Sequence, residues 1–225
     1  MINNQKIFAI IPARKGSKRL KNKNIILFNN KPLIYWTIKS AKKSKYIDNI
    51  FVSTNSKKIS KISEVFGIKV PYLRPQSLSG DKVLIRDVVS YTLKKNKTRC
   101  SYIIILQPTS PLRDYKDIDK AIKLIDLKKY DALVTVTRDQ RINKFGININ
   151  SKSEITEIQK TTNNKKNFKY KLNGSIYIFK KEFFNKNKKF YDLKSFALIT
   201  KKEKSIDIDT VDDLTEAEKL IKYEL

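Results

Sequence analysis

Short apolar runs alternate along the chain with longer segments in which apolar residues recur at helical spacing. Between two such runs, Ile59, Ile62 and Phe66 follow the spacing i, i+3, i+7, and Asn55 or Ser56 in front of them predicts an N-cap. Other helices are predicted to begin near Pro32, Ile85 and Ile118. The runs predict strands at residues 6–11, 49–54, 69–74, 102–107 and 131–137. Continuous apolar strands joined by helices predict an α/β fold with a mostly parallel sheet covered on both faces.

This alternation stops after Arg138. Residues 139–172 are polar and rich in Asn and Lys, with only short alternating pieces, and they predict a small β arm. Few large apolar side chains occur there, so we expect the arm to need another surface to pack on. The predicted organisation is an α/β core of residues 1–138 and 173–225, interrupted by this arm.

The core pattern resumes after the arm. Residues 174–179 and 196–200 are apolar runs that predict further strands, and a final helix is predicted from Val211. Thr210 with Asp213 three residues later is typical of a helix N-cap. Pro71 interrupts the earlier run at residues 69–74, so that strand is expected near an edge of the sheet.

The amino-acid composition excludes several classes of catalytic and metal-binding site. The chain has no His, which excludes Ser-His-Asp triads and His-ligated metals, and its one Cys excludes an internal disulfide and Cys-cluster zinc sites. Cys100 precedes an apolar run and is expected to be a buried, inert thiol. Any metal must then be held by oxygen atoms, which favours Mg²⁺.

The net charge of +27 raises the possibility of nucleic-acid binding. Lysines are distributed along the whole chain rather than in one patch, so we expect no nucleic-acid partner and keep a basic nucleic-acid-binding domain as the rival from another class. No apolar run approaches the ~20 residues of a membrane span, and the N-terminal apolar segment is too short for a secretory signal. We therefore expect a soluble, cytoplasmic protein with no membrane contact.

Ligands of open parallel sheets bind at the carboxyl ends of the strands, and the loop after the first strand is strongly basic. The stretch AIIPARKGSKRLKNKN contains Arg14, Lys18 and Lys23 together with Gly16 and Ser17. It matches neither the dinucleotide-binding fingerprint nor a P-loop. A nucleoside triphosphate would offset the repulsion among these cations, whereas the alternative is a solvated basic loop.

Two further segments carry polar side chains at strand ends. In SIDID, Asp207 and Asp209 are two residues apart, which places both carboxylates on one side of an extended segment. Two such carboxylates suggest a Mg²⁺ ion that they bind together with triphosphate oxygens. The alternative is an exposed acidic strand end. In LQPTSPLR, Gln107 suits a polyhydroxylated substrate, whereas the alternative is a turn shaped by its prolines.

Six motifs together resemble the acylneuraminate cytidylyltransferases, also called CMP-sialic acid synthetases. They cover nearly the whole chain in order: IIPARKGSKRLKNKN, STN, LRPQSLSGD, LQPTSPLR, LNGSIYIF and SIDIDTVDDL. The resemblance implies a Rossmann-like sheet between helices and a homodimer in which the small β arm reaches the partner's site. It also implies transfer of CMP from CTP to an acidic nine-carbon sugar, with Mg²⁺ and release of pyrophosphate.

The resemblance also implies roles for individual residues. The triphosphate would be bound by Arg14, Ser17, Lys18 and Lys23, the ribose by Asn24 and the cytosine by Arg74. The sugar site would be formed by Gln107, Asn173, Tyr177, Phe190 and Tyr191. Asp207 and Asp209 match the metal-binding acids, and Lys23 and Asp209 are the candidate catalytic residues. Because the chain has no His, the expected proton acceptor is Asp209 or a metal-bound hydroxide that Asp209 positions.

Two departures from the family pattern leave the sugar open. Arg19-Leu20-Lys21 stands where the family often has Gly-Leu-Pro, and Lys171-Leu172 stands where an arginine and a proline often precede Asn-Gly. Lys cannot reproduce the bidentate grip of Arg on a carboxylate. Legionaminic, pseudaminic and sialic acids all remain candidate substrates. The alternative within the same reaction class is a nucleotidyltransferase that acts on 3-deoxy-manno-octulosonate or on a sugar phosphate.

Overall fold

The computed structural model describes residues 1–17, 19–138, 145–160 and 168–221. Six α-helices occur in these ranges: α1 (Leu33–Lys43), α2 (Lys57–Val65), α3 (Ile85–Asn96), α4 (Tyr115–Lys128), α5 (Lys181–Asn187) and α6 (Val211–Ile221). The strands are β1 (Ile7–Pro12), β2 (Leu27–Phe28), β3 (Lys31–Pro32), β4 (Asn49–Ser53), β5 (Tyr102–Leu106), β6 (Ala132–Arg138), β7 (Phe145–Ile149), β8 (Ile155–Lys160), β9 (Tyr170–Lys180) and β10 (Phe196–Ile199).

The main sheet confirms the predicted α/β fold. Its strand order is β10-β6-β9-β5-β1-β4, and β1, β4, β5, β6 and β10 all run in the same direction. The long strand β9 runs antiparallel between β5 and β6 and separates these two parallel strands at the centre of the sheet. The sheet is therefore mostly parallel with one central reversal.

Helices cover both faces because successive side chains of a strand point to opposite sides. On β1, Ile7, Ala9 and Ile11 pack with α1, α2 and α4, whereas Phe8 and Ile10 pack with α3 and α5 on the other face. All five of these residues are buried. The continuous apolar run in the sequence thus corresponds to a strand that is buried on both sides.

The helix ends follow the predicted capping chemistry. The side chain of Ser56 accepts a hydrogen bond from the Ile59 backbone amide at the start of α2. Thr210 and Asp213 cap α6 reciprocally, since each side chain accepts a hydrogen bond from the other residue's backbone amide. These contacts confirm both N-caps.

The strand expected at residues 69–74 is wrong: this segment is irregular and leads into a short 3-10 helix, Gln76–Leu78. Pro71 has no backbone N–H to give to a sheet ladder, which disfavours regular pairing of the apolar run there. The segment is held beside β4 by a backbone hydrogen bond of 2.6 Å from Arg74 to Thr54.

The described part of the predicted arm forms a β7–β8 hairpin that packs on its own chain. β7 pairs with the beginning of β9, and Ile147 and Ile155 are buried with Val134, Val136 and Ala197 of the core. The expected boundary at residue 173 falls inside β9, so residues 170–172 belong to a core strand. Residues 139–144 and 161–167 of the arm lie outside the described ranges.

Two smaller expectations can be compared with the fold. Cys100 is partly buried, and burial raises the pKa of its thiol, which keeps it protonated and unreactive. Within the described ranges, no helix combines the length and the apolar character that crossing a membrane requires.

Candidate active site

The basic loop after β1 is anchored to the ends of neighbouring strands. The Ala13 amide donates to the carbonyl of Ser53 at the end of β4, and the Lys15 amide donates to the side chain of Asn55 at 2.7 Å. The buried side chain of Asn24 donates to the Arg14 carbonyl at 2.9 Å and so closes the loop on itself. The loop is thereby fixed at the carboxyl edge of the sheet.

A cleft of about 180 Å³ opens beside this loop. It brings together residues from four parts of the sequence, and five of the predicted site residues line it: Arg14, Lys23, Asn24, Arg74 and Gln107. Ser17 belongs to the same loop, whereas Lys18 lies outside the described residues. The cleft is the place where the predicted nucleotide-binding residues meet the loop that follows β5.

A larger cavity of about 480 Å³ is also lined by this loop, against the start of α2. Lys15, Lys57 and Lys58 line it, and Arg14 and Asn24 border both cavities. Cations of the loop therefore line both concave regions, Lys15 the larger one, Lys23 the smaller one and Arg14 both.

Two guanidinium groups dominate one side of the 180 Å³ cleft. Arg14 forms an ion pair of 2.6 Å with Asp81, and the buried Arg74 donates from Nε to the Ser79 hydroxyl at 3.2 Å. Burial lowers the pKa of Arg74 to about 10, and the nearby charge of Arg14 acts in the same direction. A ligand that offers negative charge or carbonyl oxygens would relieve this electrostatic cost.

The two predicted catalytic residues are in direct contact. Lys23 donates to the Oδ1 atom of Asp209 at 2.6 Å, and Arg19 donates to the Oδ2 atom at 2.5 Å. The Asp209 amide is bound by Asp213, and the neighbouring amide of Ile208 donates to the Thr109 carbonyl. The acidic segment is thus held between the basic loop and the loop after β5.

The acids fit a cation that arrives with a nucleotide better than a resident one. Among the described residues, no group of three or more acidic, His or Cys side chains could hold a metal ion. One or two carboxylates plus phosphate oxygens are nevertheless a common donor set for Mg²⁺, and Asp207 and Asp209 supply such carboxylates. Because Lys23 and Arg19 already hold Asp209, a metal there would require at least one of them to move.

An aromatic cluster lies next to the acids. The ring of Tyr177 on β9 lies 5.9 Å from that of Phe190 and 6.1 Å from that of Tyr191. Burial raises the pKa of the Tyr177 hydroxyl, and Tyr191 and Asp207 raise it further. The three aromatic residues that were predicted to line a sugar pocket are therefore grouped together beside Asp207.

Gln107 lies over the beginning of β9. Gly174 has a φ of +73°, and a Cβ atom built there would lie 3.6 Å from the Gln107 Nε2 atom. That distance is an ordinary van der Waals contact, so the requirement for glycine at position 174 comes from its positive φ. The Gln107 amide thus lies in contact distance of β9 at Gly174.

Asn173 is a hub of internal hydrogen bonds. Its Oδ1 atom accepts from the Thr135 hydroxyl and the Ser175 amide, and its Nδ2 atom donates to the hydroxyls of Thr200 and Ser205. These four contacts use the bonding capacity of a side-chain amide that is 4% exposed. In this arrangement the amide has no capacity left for a sugar, so its contribution to the site is to hold β9 against β6 and the segment after β10.

Arg113 is a buried residue that sequence reasoning did not select. Its guanidinium donates to the carbonyls of Gln107 and Ser175 and to the Thr37 hydroxyl. The residue is 2% exposed, and burial lowers its pKa to about 9. An arginine at the end of a polar loop is usually exposed, so the only sequence signal was its place in the LQPTSPLR motif.

Comparisons with known proteins identify the family of this chain. A model of the cytidylyltransferase family matches residues 8–225. An N-acylneuraminate cytidylyltransferase of Escherichia coli is 36% identical over 208 residues, which cover 91% of this chain and 49% of the relative. The chain therefore spans about half the length of that relative.

A second relative matches over nearly its full length. The CMP-N,N'-diacetyllegionaminic acid synthase of Legionella pneumophila is 34% identical over 225 residues, which cover 96% of this chain and 97% of the relative. Among solved structures, CMP:2-keto-3-deoxy-manno-octonic acid synthetase complexed with CTP has a similar fold, with a TM-score of 0.78 and 17% identity, and the alignment covers 98% of this chain and 100% of that one. The chain belongs to the cytidylyltransferase family, as its resemblance to the acylneuraminate cytidylyltransferases predicted.

Proposed function

We propose that this chain transfers CMP from CTP to a nonulosonic acid, either sialic acid or a relative such as legionaminic or pseudaminic acid, and releases pyrophosphate. The observation that carries the proposal is the contact between Lys23 and Asp209 at the cleft that Gln107 also lines. This arrangement joins a basic loop, an acidic segment and a polar amide within one site. Relatives with names of both sialic acid and legionaminic acid enzymes support the substrate class.

In this proposal the basic loop and its neighbours bind CTP. Arg14, Ser17, Lys18 and Lys23 bind the triphosphate, and Asn24 contacts the ribose. Arg74 binds the cytosine, because a buried guanidinium that has its pKa lowered gains from a carbonyl acceptor. The lysines of the 480 Å³ cavity extend the positive potential that attracts the nucleotide.

The reaction is an in-line displacement. The anomeric hydroxyl of the sugar attacks the α-phosphorus, the new O–P bond forms, and the bond from that phosphorus to the β-bridging oxygen breaks. Asp209 accepts the proton of the hydroxyl, and Lys23 neutralises charge that develops on the phosphates. Mg²⁺, held by Asp207, Asp209 and phosphate oxygens, would supply further charge neutralisation when bound.

The sugar is expected on the aromatic side of the site. Gln107 offers a donor and an acceptor to sugar hydroxyls, and Tyr177, Phe190 and Tyr191 offer apolar surface for the ring and its substituents. Asn173 supports this pocket through β9. The difference at Lys171 and Leu172 makes legionaminic or pseudaminic acid as suitable as sialic acid.

Pyrophosphate release tests the proposal. The chain is incubated with CTP, UTP or ATP, with or without Mg²⁺, and with sialic, legionaminic, pseudaminic or 3-deoxy-manno-octulosonic acid, and mass spectrometry identifies the product. We expect release only with CTP and a nine-carbon acid. Release with the eight-carbon acid alone would favour a nucleotidyltransferase for 3-deoxy-manno-octulosonic acid. Strongly salt-dependent DNA or RNA binding without any turnover would favour a nucleic-acid-binding domain.

We also propose a cytoplasmic homodimer. A protein that consumes CTP is expected in the compartment that holds this nucleotide. At the start of β8, the Ile155 amide and carbonyl bond to Ser195 and Lys194 of the same chain. For the rest of β8, β7 is the one paired neighbour among the described strands, so the outer edge beyond Ile155 is the surface that a second copy would cover.

A further inference from the structure

The loop after β5 presents two neighbouring hydroxyl residues in a rigid setting. Pro108 and Pro111 flank Thr109 and Ser110, and the Ser110 amide donates to the Gln107 carbonyl within the turn. The Thr109 carbonyl accepts a hydrogen bond of 2.8 Å from the Ile208 amide. The backbone of Thr109 is thereby fixed beside the segment that carries Asp207 and Asp209.

Both hydroxyls are buried without a partner. Thr109 is 7% exposed and Ser110 is 1% exposed, and neither side-chain oxygen has a hydrogen-bond partner among the described residues. A buried hydroxyl that forms no hydrogen bond destabilises a folded protein, so such a group calls for an explanation. A ligand that supplies the missing partner in the working state is one such explanation.

The two residues differ in what surrounds them. Thr109 lines the 180 Å³ cleft together with Arg14, Lys23 and Arg74, whereas Ser110 is not among the residues that line it. Because Thr109 borders the cleft, rotation about its Cα–Cβ bond between staggered positions can direct the hydroxyl toward a molecule bound there. A ligand in the cleft could satisfy Thr109 and leave Ser110 unchanged.

We propose that the Thr109 hydroxyl is a nucleotide-binding group that donates a hydrogen bond to an α-phosphate oxygen of CTP. The cleft is lined by four residues predicted to bind the nucleotide and one predicted to bind the sugar, which favours the nucleotide as its partner. The backbone bond to Ile208 places Thr109 next to the acids of the transfer centre, where the α-phosphate must lie for reaction. This inference rests on the proposed function, because it takes CTP as the ligand.

Direct binding of CTP tests the inference without any sugar or turnover. Isothermal titration calorimetry is performed on the wild type and on Thr109→Val, Thr109→Ser and Ser110→Ala, and urea unfolding is measured for each. We expect Thr109→Val to raise the Kd for CTP by about tenfold or more, as for loss of a hydrogen bond to a charged group. Thr109→Ser should bind nearly as tightly as the wild type, and Ser110→Ala should leave the Kd unchanged.

The free energy of unfolding distinguishes a hydroxyl that binds the ligand from one that stabilises the fold. If the hydroxyl serves the ligand, Thr109→Val should be at least as stable as the wild type, because it removes an unpaired buried group. A wild-type Kd for Thr109→Val, or equal weakening in Thr109→Val and Ser110→Ala, would overturn the inference. If Thr109→Val does not fold, Thr109→Ala takes its place. Failure of the wild type itself to bind CTP would instead refute the proposed function.

Discussion

The Nζ atom of Lys23 lies 2.6 Å from the Oδ1 atom of Asp209, although 186 positions separate the two residues along the chain. Both side chains are largely shielded, at 14% and 16% exposure, and Arg19 occupies the second carboxylate oxygen. The single carboxylate of Asp209 therefore neutralises part of the charge of these two cations. When a triphosphate binds Lys23 and Arg19, its phosphate oxygens must replace the Asp209 carboxylate. The first prediction follows from this exchange.

Replacing Asp209 with Asn should separate binding from chemistry. The variant loses the proton acceptor and the charge, so we expect kcat to fall by about 100-fold or more. Lys23 and Arg19 lose their carboxylate partner, so CTP without Mg²⁺ should bind at least as tightly as in the wild type, as measured by calorimetry. Wild-type turnover at limiting Mg²⁺ would contradict the roles assigned to Asp209.

Lys23→Ala should reduce activity through lost charge stabilisation of the phosphates. We expect kcat/KM for CTP to fall by about 100-fold, because the amino group acts where negative charge develops. Lys21→Ala is the matched control, since Lys21 is an exposed cation of the same loop. Equal effects of the two substitutions would indicate that only the overall charge of the loop matters.

Asn173→Ala should act mainly on stability. Four groups lose a partner when the amide is removed, so the free energy of unfolding in urea should fall by about 3 kcal/mol. Asn187→Ala, which changes an exposed amide at the end of α5, should have little effect. A stable Asn173→Ala protein with greatly weakened sugar binding would favour direct contact with the sugar instead.

Arg113→Met should destabilise the fold and disturb the sugar side of the site. Two carbonyls and one hydroxyl lose their donor, which outweighs the gain from removing a buried charge, and we expect a loss of about 2 kcal/mol. Because Gln107 loses part of its support, KM for the sugar should rise more than KM for CTP. Arg113→Lys should restore only part of the stability, since one amino group cannot reach all three acceptors.

Removal of residues 150–168 should weaken the chain as well as its activity. The deletion takes away Ile155, which is buried with Val134, Val136 and Ala197, so the melting temperature should fall. CTP should still bind, because the residues that line the nucleotide cleft lie outside the deletion. Unchanged stability together with unchanged affinity for the sugar would show that the hairpin is dispensable.

Sedimentation velocity at assay concentration tests the proposed homodimer. We expect the sedimentation coefficient of a dimer for the wild type. A charge placed on the outer edge of β8, such as Thr156→Lys, should then shift the population toward monomer if that edge is the interface. A fully active monomeric wild type would contradict a site shared between two copies.

Local patterns predicted much of this molecule because the relevant physics is local. The run at residues 102–107 became the buried strand β5, and Thr210 with Asp213 caps α6 as expected. The wrong prediction of a strand at residues 69–74 also came from a local pattern. An apolar run does not show whether a neighbouring strand can pair with a segment that contains Pro71.

Long-range relationships were beyond such patterns. Nothing near residue 170 indicates that β9 runs antiparallel between β5 and β6, since that position depends on the rest of the sheet. The ion pair of Arg19 with Asp209 and the buried location of Arg113 likewise depend on residues distant in sequence. The family motifs selected residues that the fold brings together, such as Arg14, Arg74 and Gln107 at one cleft, whereas hydrogen-bonding states, as at Asn173, required coordinates.

The central position of β9 has a consequence for synthesis on the ribosome. Until residues 170–180 have left the ribosome, β5 lacks its neighbour β9 on one side. All of the β5 side chains are buried in the folded chain. The nascent chain would thus expose an unpaired apolar edge during translation of the whole hairpin region, which is the kind of surface that recruits chaperones or aggregates. Products of premature termination before residue 170 should accordingly be insoluble or degraded, whereas a chain that includes residues 170–180 pairs β5 with β9.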